Sequence, residues 1–332
     1  MSLLNAKPIY KPFNYPWAYE AWHTQQKIHW LPEEIPMGDD VKDWKHNISE
    51  SEKHLLTQIF RFFTQADIEV NNCYMKHYTR VFQPIEVQMM LSAFSNMETI
   101  HIAAYSHLID TLGLPEGEYA AFMAYKEMKD KYDYMQEFNV DDKHNIAKTM
   151  AVFGAFTEGL QLFASFAILL NFPRFNKMKG MGQVVTWSVR DETLHCNSII
   201  RLFKTFVQEN PEVWTEELKR ELYVACSTII SHEDAFIDLA FEMGDMQGMT
   251  ADDVKQYIRY IGDRRLLQLD LQPMHHIDKN PLPWIDEILN GVEHANFFEN
   301  RVTEYTKAST QGTWEDAFAD LDAKKEKDPV TA

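Results

Sequence analysis

Glycine and strand-like alternation are both scarce in this sequence, and their scarcity argues against a β-sheet protein. Only 12 of the 332 residues are glycine, which is well below the average usage of about 7%. Strict apolar–polar alternation is rare, and apolar residues instead recur at the spacing of amphipathic helices. We therefore predict an all-α protein.

Clustered basic charge is also missing. The chain has 32 Lys and Arg against 50 Asp and Glu, which gives a formal net charge of −18. Nucleic-acid binding requires grouped cations that neutralise phosphates, and adhesion to an anionic membrane surface has the same requirement. We predict that neither nucleic acid nor membrane is a partner.

Cysteines are few, and so are long apolar runs. Cys73, Cys196 and Cys226 are widely spaced and form no Cys-x-x-Cys, which is typical of reduced, buried thiols. The first residues lack the apolar core of a signal peptide. The longest apolar run, residues 162–172, is too short to span a bilayer. These features predict a cytoplasmic protein.

Two copies of Glu-x-x-His are present, Glu98 to His101 and Glu192 to His195, each inside a long helical pattern. Residues three positions apart lie on the same face of a helix. Two such helices, with one carboxylate from each of two more helices, form the dinuclear metal site of ferritin-like bundles. A single Glu-x-x-His is more often a pair of surface residues, so the fold prediction depends on finding the other two carboxylates.

Two acidic residues can supply the missing carboxylates. Glu158 is nearly the only charge in the apolar run 153–163, and Asp67 lies in the apolar segment 60–70, where Glu69 is a competitor on a different face. Charged groups on apolar helices require partners or a metal, because burying them bare is costly. Carboxylates with one imidazole per ion suit iron or manganese rather than structural zinc, and open positions on such ions would bind O2.

Tyr105 follows His101 by four residues and Glu98 by seven, so all three share one stripe of a helix. A phenol beside an oxidising metal pair could lose an electron and a proton and become a tyrosyl radical. On spacing alone, a core tyrosine with a satisfied hydroxyl is the simpler interpretation.

The combined pattern resembles the small, radical-generating subunit of class I ribonucleotide reductase over essentially the whole chain. The residues that carry the resemblance are the acidic, imidazole and phenol groups and their neighbours: Asp67, Glu98-Thr-Ile-His101, Tyr105, Glu158, Arg190-Asp191-Glu192-Thr-Leu-His195 and Asn280-Pro-Leu-Pro-Trp284. The resemblance implies an all-α, ferritin-like helical bundle over residues 1–300, with an N-terminal arm.

By this resemblance, two sets of three residues would each hold one metal, with one or more carboxylates bridging. The sets are Asp67, Glu98 and His101, and Glu158, Glu192 and His195. Tyr105 would store a radical after the reduced metal pair reacts with O2. Iron is the favoured metal, at two ions per chain, and manganese or a mixed Mn/Fe pair stays open.

The resemblance also implies a path by which the radical leaves the protein. Trp30 matches the transfer tryptophan of the family, and Asp191 matches the carboxylate that links it to the first histidine, His101. Tyr305 resembles the tyrosine that relays the radical from the C-terminal tail. Leu162 stands where a phenylalanine often lines the metal pocket, and Phe166 occupies the next turn of the same face.

Residues 301–332 are rich in Thr, Ser, Lys, Asp and Glu, with isolated Trp314 and Phe318. This composition is typical of a flexible tail with a few anchors, which would dock on the large catalytic subunit. The expected assembly is a homodimer beside that subunit, acting in ribonucleoside-diphosphate reduction, although the sequence leaves triphosphates open. The competing functions are a di-metal oxidase or hydroxylase on the same scaffold and an iron-storage protein.

Overall fold

Helices make up most of the protein in a computed structural model that describes residues 2–288, apart from the side chains of residues 64, 65 and 122. No β-strand occurs within these described residues, where strand-like pairing is limited to an isolated bridge between Met246 and Met249. The all-α prediction is confirmed.

The α-helices follow one another with short connections. In chain order they are α1 (Pro16–Lys27), α2 (Gly38–His46), α3 (Glu50–Asn72), α4 (Ile85–Leu112), α5 (Gly117–Ala121), α6 (Lys126–Met135), α7 (Lys143–Met150), α8 (Phe163–Arg174), α9 (Lys179–Glu209), α10 (Glu216–Ala240), α11 (Ala251–Gln268) and α12 (283–288). Single 3₁₀ turns occur at Pro32–Glu34, Phe122–Ala124 and Pro211–Val213.

Two stretches of π-helix interrupt this regular pattern. Cys73–Tyr78 continues α3 and leads into a last α-helical turn at Thr79–Val81, while Ala151–Gln161 joins α7 to α8. The sequence pattern predicts one uninterrupted helix in each place, the first from the segment 47–52 to about Tyr78 and the second from Asp141 to Asn171. π-Helical turns are rare and occur frequently at functional sites.

Local sequence signals account for several helix ends. Ser49 begins α3 with a capping box, in which its hydroxyl accepts from the Glu52 backbone N–H and the Glu52 carboxylate accepts from the Ser49 N–H at 2.7 Å. Thr250 and Asp253 begin α11 in the same way. Pro84 precedes α4, which ends at Gly113 with a φ of 76°, a left-handed conformation that glycine adopts without a steric penalty.

The sequence predicts a turn at Gly180–Met181–Gly182 before a helix that begins near Gln183, whereas α9 begins at Lys179. Gly180 lies inside the first turn of the helix, where its N–H and that of Met181 both donate to the Asp40 carboxylate at 2.8 Å. Asp40 lies on α2 and is fully buried. A distant acidic side chain therefore satisfies the free N–H groups of this helix terminus, which local sequence could not reveal.

The core is organised around α3, α4, α9 and the π stretch 151–161. Helix α3 packs on α4, α9 packs on the π stretch and on α8, and α1 covers α4. Lys143–Arg174 is long and apolar enough to cross a membrane, but its most apolar window is wholly buried inside the protein, as in a core helix. Residues up to Asp286 form one compact unit. Tyr305, the tail 301–332 and the predicted boundary at residue 300 lie outside the described residues.

Candidate metal centre

The predicted metal ligands converge from four core elements. Asp67 comes from α3, Glu158 from the π stretch 151–161, and the two Glu-x-x-His pairs from α4 and α9. All are at most 2% exposed: Asp67, Glu98, His101, Glu158, Glu192 and His195. Glu69, the competitor, instead accepts a hydrogen bond from Gln136 near the surface.

Glu98 and Glu192 each lie between the two imidazoles. The Glu98 oxygens are 3.4 Å from His101 Nδ1 and 2.9 Å from His195 Nδ1. The Glu192 oxygens are 3.2 Å and 3.8 Å from the same two nitrogens, and the ring centroids are 6.4 Å apart. This is the arrangement of two carboxylates that could bridge a pair of ions, with one imidazole at each end.

Glu158 and Asp67 complete the cluster. One ligand atom from each of Glu98, Glu158, Glu192 and His195 lies within 4.8 Å of all the others. The charge of Asp67 interacts with His101, Glu98 and Glu192. The cluster therefore offers four carboxylates and two imidazoles to a common interior space.

Several buried polar atoms of the cluster have no hydrogen-bond partner. These atoms are Asp67 Oδ2, Glu98 Oε1, Glu98 Oε2, Glu192 Oε2 and His195 Nδ1. An unpaired buried charge is strongly unfavourable, and cations between these atoms would satisfy them. The oxygen-rich donor set with one imidazole per position fits iron or manganese.

Burial and mutual repulsion shift the acidity of the carboxylates. Desolvation, reinforced by neighbouring carboxylates, raises the pKa of Asp67, Glu158 and Glu192. Glu98 is the exception: burial acts in the same upward direction, but contacts with His101 and His195 outweigh it and lower its pKa to about 2. Because like charges crowd one space, this arrangement needs positive charge.

Each imidazole is also held from the side that faces away from the cluster. His101 Nε2 lies 3.4 Å from Asp191 Oδ2, and His195 Nε2 lies 3.0 Å from Gln25 Oε1. Because both partners offer oxygens, a proton on each Nε2 satisfies both contacts and leaves both Nδ1 atoms facing the carboxylates. Such outer partners orient metal-ligating histidines. The sequence prediction missed Gln25, whose signal is its place with Ala18 and Ala21 on the buried face of α1.

The predicted link between Trp30 and His101 is formed in the structure. The buried Trp30 indole Nε1 donates to Asp191 Oδ2 at 2.8 Å, on the oxygen that also faces His101. Arg190 donates to Asp191 Oδ1 and to the Ile28 carbonyl oxygen. A continuous polar chain thus runs from the metal cluster to Trp30.

Tyr105 lies in an apolar environment beside the cluster. Its ring stacks on Phe63 with centroids 4.5 Å apart, and Phe63 stacks on Phe166 at 5.6 Å. The hydroxyl donates to Ser188 Oγ at 3.4 Å. Burial and the Asp67 charge raise the pKa of Tyr105, so the phenol keeps its proton. Leu162 is buried as well.

Two glycines let the π stretch approach its neighbours closely. A Cβ at Gly154 would lie 2.3 Å from a methyl carbon of Ile199, and one at Gly159 would lie 2.6 Å from Cys196 Sγ. Arg265 of α11 donates to the Gly159 carbonyl oxygen at 2.7 Å. These contacts fix the backbone that presents Glu158, to which the buried Tyr74 hydroxyl donates at 2.6 Å. The sequence prediction also missed Tyr74.

A family model described as ribonucleotide reductase, small chain, matches residues 9–281. The probable ribonucleoside-diphosphate reductase small subunit 048L of Invertebrate iridescent virus 3 is 46% identical, over 95% of this chain and 88% of that protein. The ribonucleoside-diphosphate reductase subunit beta of Chlamydia pneumoniae is 33% identical, over 90% of this chain and 89% of that protein.

Solved structures show the same architecture. The ribonucleotide reductase R2 subunit from Clostridium botulinum superposes with a TM-score of 0.81 at 22% identity, covering 87% of this chain and 94% of that one. The dimanganese(II)-NrdF of Streptococcus sanguinis gives a TM-score of 0.72 at 20% identity, covering 82% and 94%. These similarities confirm the predicted ferritin-like fold.

Proposed function

The chain belongs to the ribonucleotide reductase small-chain family, and from that premise we propose that its buried cluster holds two metal ions and generates a radical for a large subunit. The chain is the small subunit of a ribonucleoside-diphosphate reductase, an oxidoreductase. Its proposed contribution is the radical, which the large subunit uses to reduce ribonucleotides to 2′-deoxyribonucleotides.

The observation that carries the proposal is the placement of Glu98 and Glu192 between the two histidines, with buried oxygens that lack partners. We assign one position to Asp67, Glu98 and His101, and the other to Glu158, Glu192 and His195. Iron is the favoured metal, and manganese or a mixed pair fits the same donors.

When bound, the metal pair would supply the oxidising power for the reaction with O2. The contribution of Tyr105 is a protonated phenol in a water-poor pocket, where Phe63 covers the ring and Ser188 accepts its hydroxyl hydrogen. A buried phenoxyl radical is protected from quenching by the same packing. We therefore propose Tyr105 as the radical store.

The proposed exit route begins at His101 and passes through Asp191 to Trp30. From there we assign the relay to Tyr305 and the docking of the large subunit to residues 301–332. A homodimer in the cytoplasm is the expected working form. The route favours radical export over an oxidase or hydroxylase acting on its own substrate, and iron storage would require no such route.

The proposed role of Tyr105 is tested by electron paramagnetic resonance. Metal-free protein is loaded with Fe²⁺ and exposed to O2, and we expect a tyrosyl signal in the wild type that Tyr105→Phe abolishes. Tyr257→Phe is the matched control, because Tyr257 is equally buried but lies on α11; it should keep the signal. An unchanged signal in Tyr105→Phe would show that the radical is not on this residue.

A further inference from the structure

We propose that Tyr74 is a positioning residue for Glu158 and that its hydroxyl sets the affinity of the metal position that Glu158 shares with His195. This inference rests on the proposed function, since it concerns the same metal pair. Tyr74 is not one of the predicted ligands, and its contact would give the two metal positions different affinities.

The contact between these residues is short and fully buried. The Tyr74 hydroxyl donates to Glu158 Oε1 at 2.6 Å, across 84 residues of sequence. Both side chains are 1% exposed. A hydrogen bond of this length to a carboxylate is charge-assisted and is among the stronger hydrogen bonds in proteins. It fixes which oxygen of Glu158 is shared with the phenol.

The Tyr74 ring is held in place by other rings. It packs edge-on against Phe94 and His195, each with centroids 6.1 Å away, and against Tyr78 at 5.6 Å. The phenol therefore cannot swing away from Glu158 without displacing core aromatics. Tyr74 also touches the imidazole of the same metal position.

Both partners of the hydrogen bond lie in the two π-helical stretches. Tyr74 is in Cys73–Tyr78 and Glu158 is in Ala151–Gln161. A return of either stretch to α-helical winding would rotate the following side chains about the helix axis. The bond thus connects the two irregular segments of the core at the metal cluster.

The other metal position has a different environment. Asp67 Oδ2 has no hydrogen-bond partner among the described residues, whereas Glu158 Oε1 accepts from the Tyr74 hydroxyl. Residues that orient a ligand typically change metal affinity by about 10- to 100-fold when they are replaced. Loss of the Tyr74 hydroxyl should therefore weaken one position and leave the other unchanged.

The test is a Mn²⁺ titration of the metal-free full chain without O2, with free Mn²⁺ counted by electron paramagnetic resonance. In Tyr74→Phe we expect one of two Mn²⁺ equivalents to bind about 10- to 100-fold more weakly, with the other within about twofold of wild type. Tyr78→Phe is the matched control: Tyr78 is equally buried, and its hydroxyl faces the Thr149 carbonyl oxygen rather than a ligand. It should bind both equivalents normally.

The inference is overturned if Tyr74→Phe binds both equivalents normally, if it loses both equally, or if Tyr78→Phe shows the same loss. If the metal-free variant does not fold, both variants are refolded with Mn²⁺ and the rates of metal removal by a chelator are compared. A wild-type chain that fails to bind two Mn²⁺ would instead contradict the proposed metal pair itself.

Discussion

Three side chains of the candidate metal centre are each contacted by a second residue that orients them. The first residue of each pair faces the cluster, and the second lies outside it. Asp191 orients His101, Gln25 orients His195, and Tyr74 holds Glu158. Each outer partner comes from a different element than the group it orients, so the fold, rather than local sequence, sets the geometry of the cluster.

The Trp30 indole has a role that can be separated from metal binding. Trp30→Phe removes the N–H that donates to Asp191 and leaves a ring that is harder to oxidise. We expect turnover with the large subunit to fall by at least about 10-fold, while metal content and the tyrosyl signal stay at wild-type values.

Trp17→Phe is the control for this substitution, because Trp17 lies on α1 against the Arg201 guanidinium and away from Asp191. Turnover and metal analysis on the same samples decide the outcome. Full turnover in Trp30→Phe would exclude it from the route, and loss of metal would indicate a structural role.

The sequence could predict those residues of the metal centre that lie in a recognisable motif or in an apolar segment. The spacing within each Glu-x-x-His and the apolar surroundings of Glu158 placed five of the six cluster residues, and the family resemblance decided Asp67 over Glu69. Gln25 and Tyr74 could not be found in this way. Their hydrogen-bond partners are 170 and 84 residues away, and the place of Gln25 on the buried face of α1 does not identify its partner.

The spacing of apolar residues predicts the helices but not the contacts between them. The helices themselves follow from apolar spacing and caps, but over a stretch of 11 residues such as Ala151–Gln161 α- and π-helical periods are hard to distinguish. The start of α9 likewise depends on Asp40 from α2. At the start of α9, therefore, a tertiary contact supplies what the local sequence could not predict.

A buried ion pair joins α6 to α10. Lys131 Nζ lies 2.5 Å from Glu233 Oε1 with both side chains fully buried, and the ammonium sits over Phe62 and Phe236. Burial raises the pKa of Glu233 to about 7, with Lys131 opposing the shift. Removing one partner leaves an uncompensated buried charge.

We expect Lys131→Met to lower the free energy of unfolding by about 3–5 kcal/mol, and the double variant Lys131→Met/Glu233→Leu to recover most of it. Without Lys131 the folded-state pKa of Glu233 rises further, so the folded state holds a proton that the unfolded state releases. The loss relative to wild type should therefore grow as the pH rises above about 7, the pKa that Glu233 has in the folded wild type.

Chemical denaturation at several pH values measures this effect. Lys42→Met is the control, since the Lys42–Asp39 pair is 73% exposed on both sides and an ion pair in solvent contributes little to stability. A loss in Lys131→Met no larger than in the control would show that the buried pair does not stabilise the docking of α6.

For the molecule as a whole, we propose that a helical body holds the metal pair and that residues 301–332 dock on the large subunit. The body up to Asp286 is one compact unit that contains every predicted metal ligand together with Tyr105, Trp30 and Asp191. The low glycine content and the scarcity of strand-like alternation predicted the all-α class. The proposed partner and radical path depend on the family resemblance. A surface that binds another subunit produces no regular spacing of residues that could be recognised in the sequence.

Deleting the residues after Asn300 tests this division. The truncated chain should keep its metal and its thermal unfolding temperature but lose turnover with the large subunit, because the proposed docking segment and Tyr305 are gone. A synthetic peptide of residues 301–332 should inhibit the full-length chain by competing for the same surface. Undiminished turnover of the truncated chain would contradict tail docking.

Counting bound metal tests the claim that these buried carboxylates and histidines hold two metal ions. After loading with Fe²⁺ and desalting, elemental analysis should give two ions per wild-type chain and one or none in Glu98→Ala and Glu192→Ala. Glu86→Ala should retain two, because Glu86 is a buried carboxylate on the same helix that accepts from backbone N–H groups of Asn14 and Tyr15. A wild-type chain without bound metal, or a Glu98→Ala variant that keeps both ions, would contradict the claim.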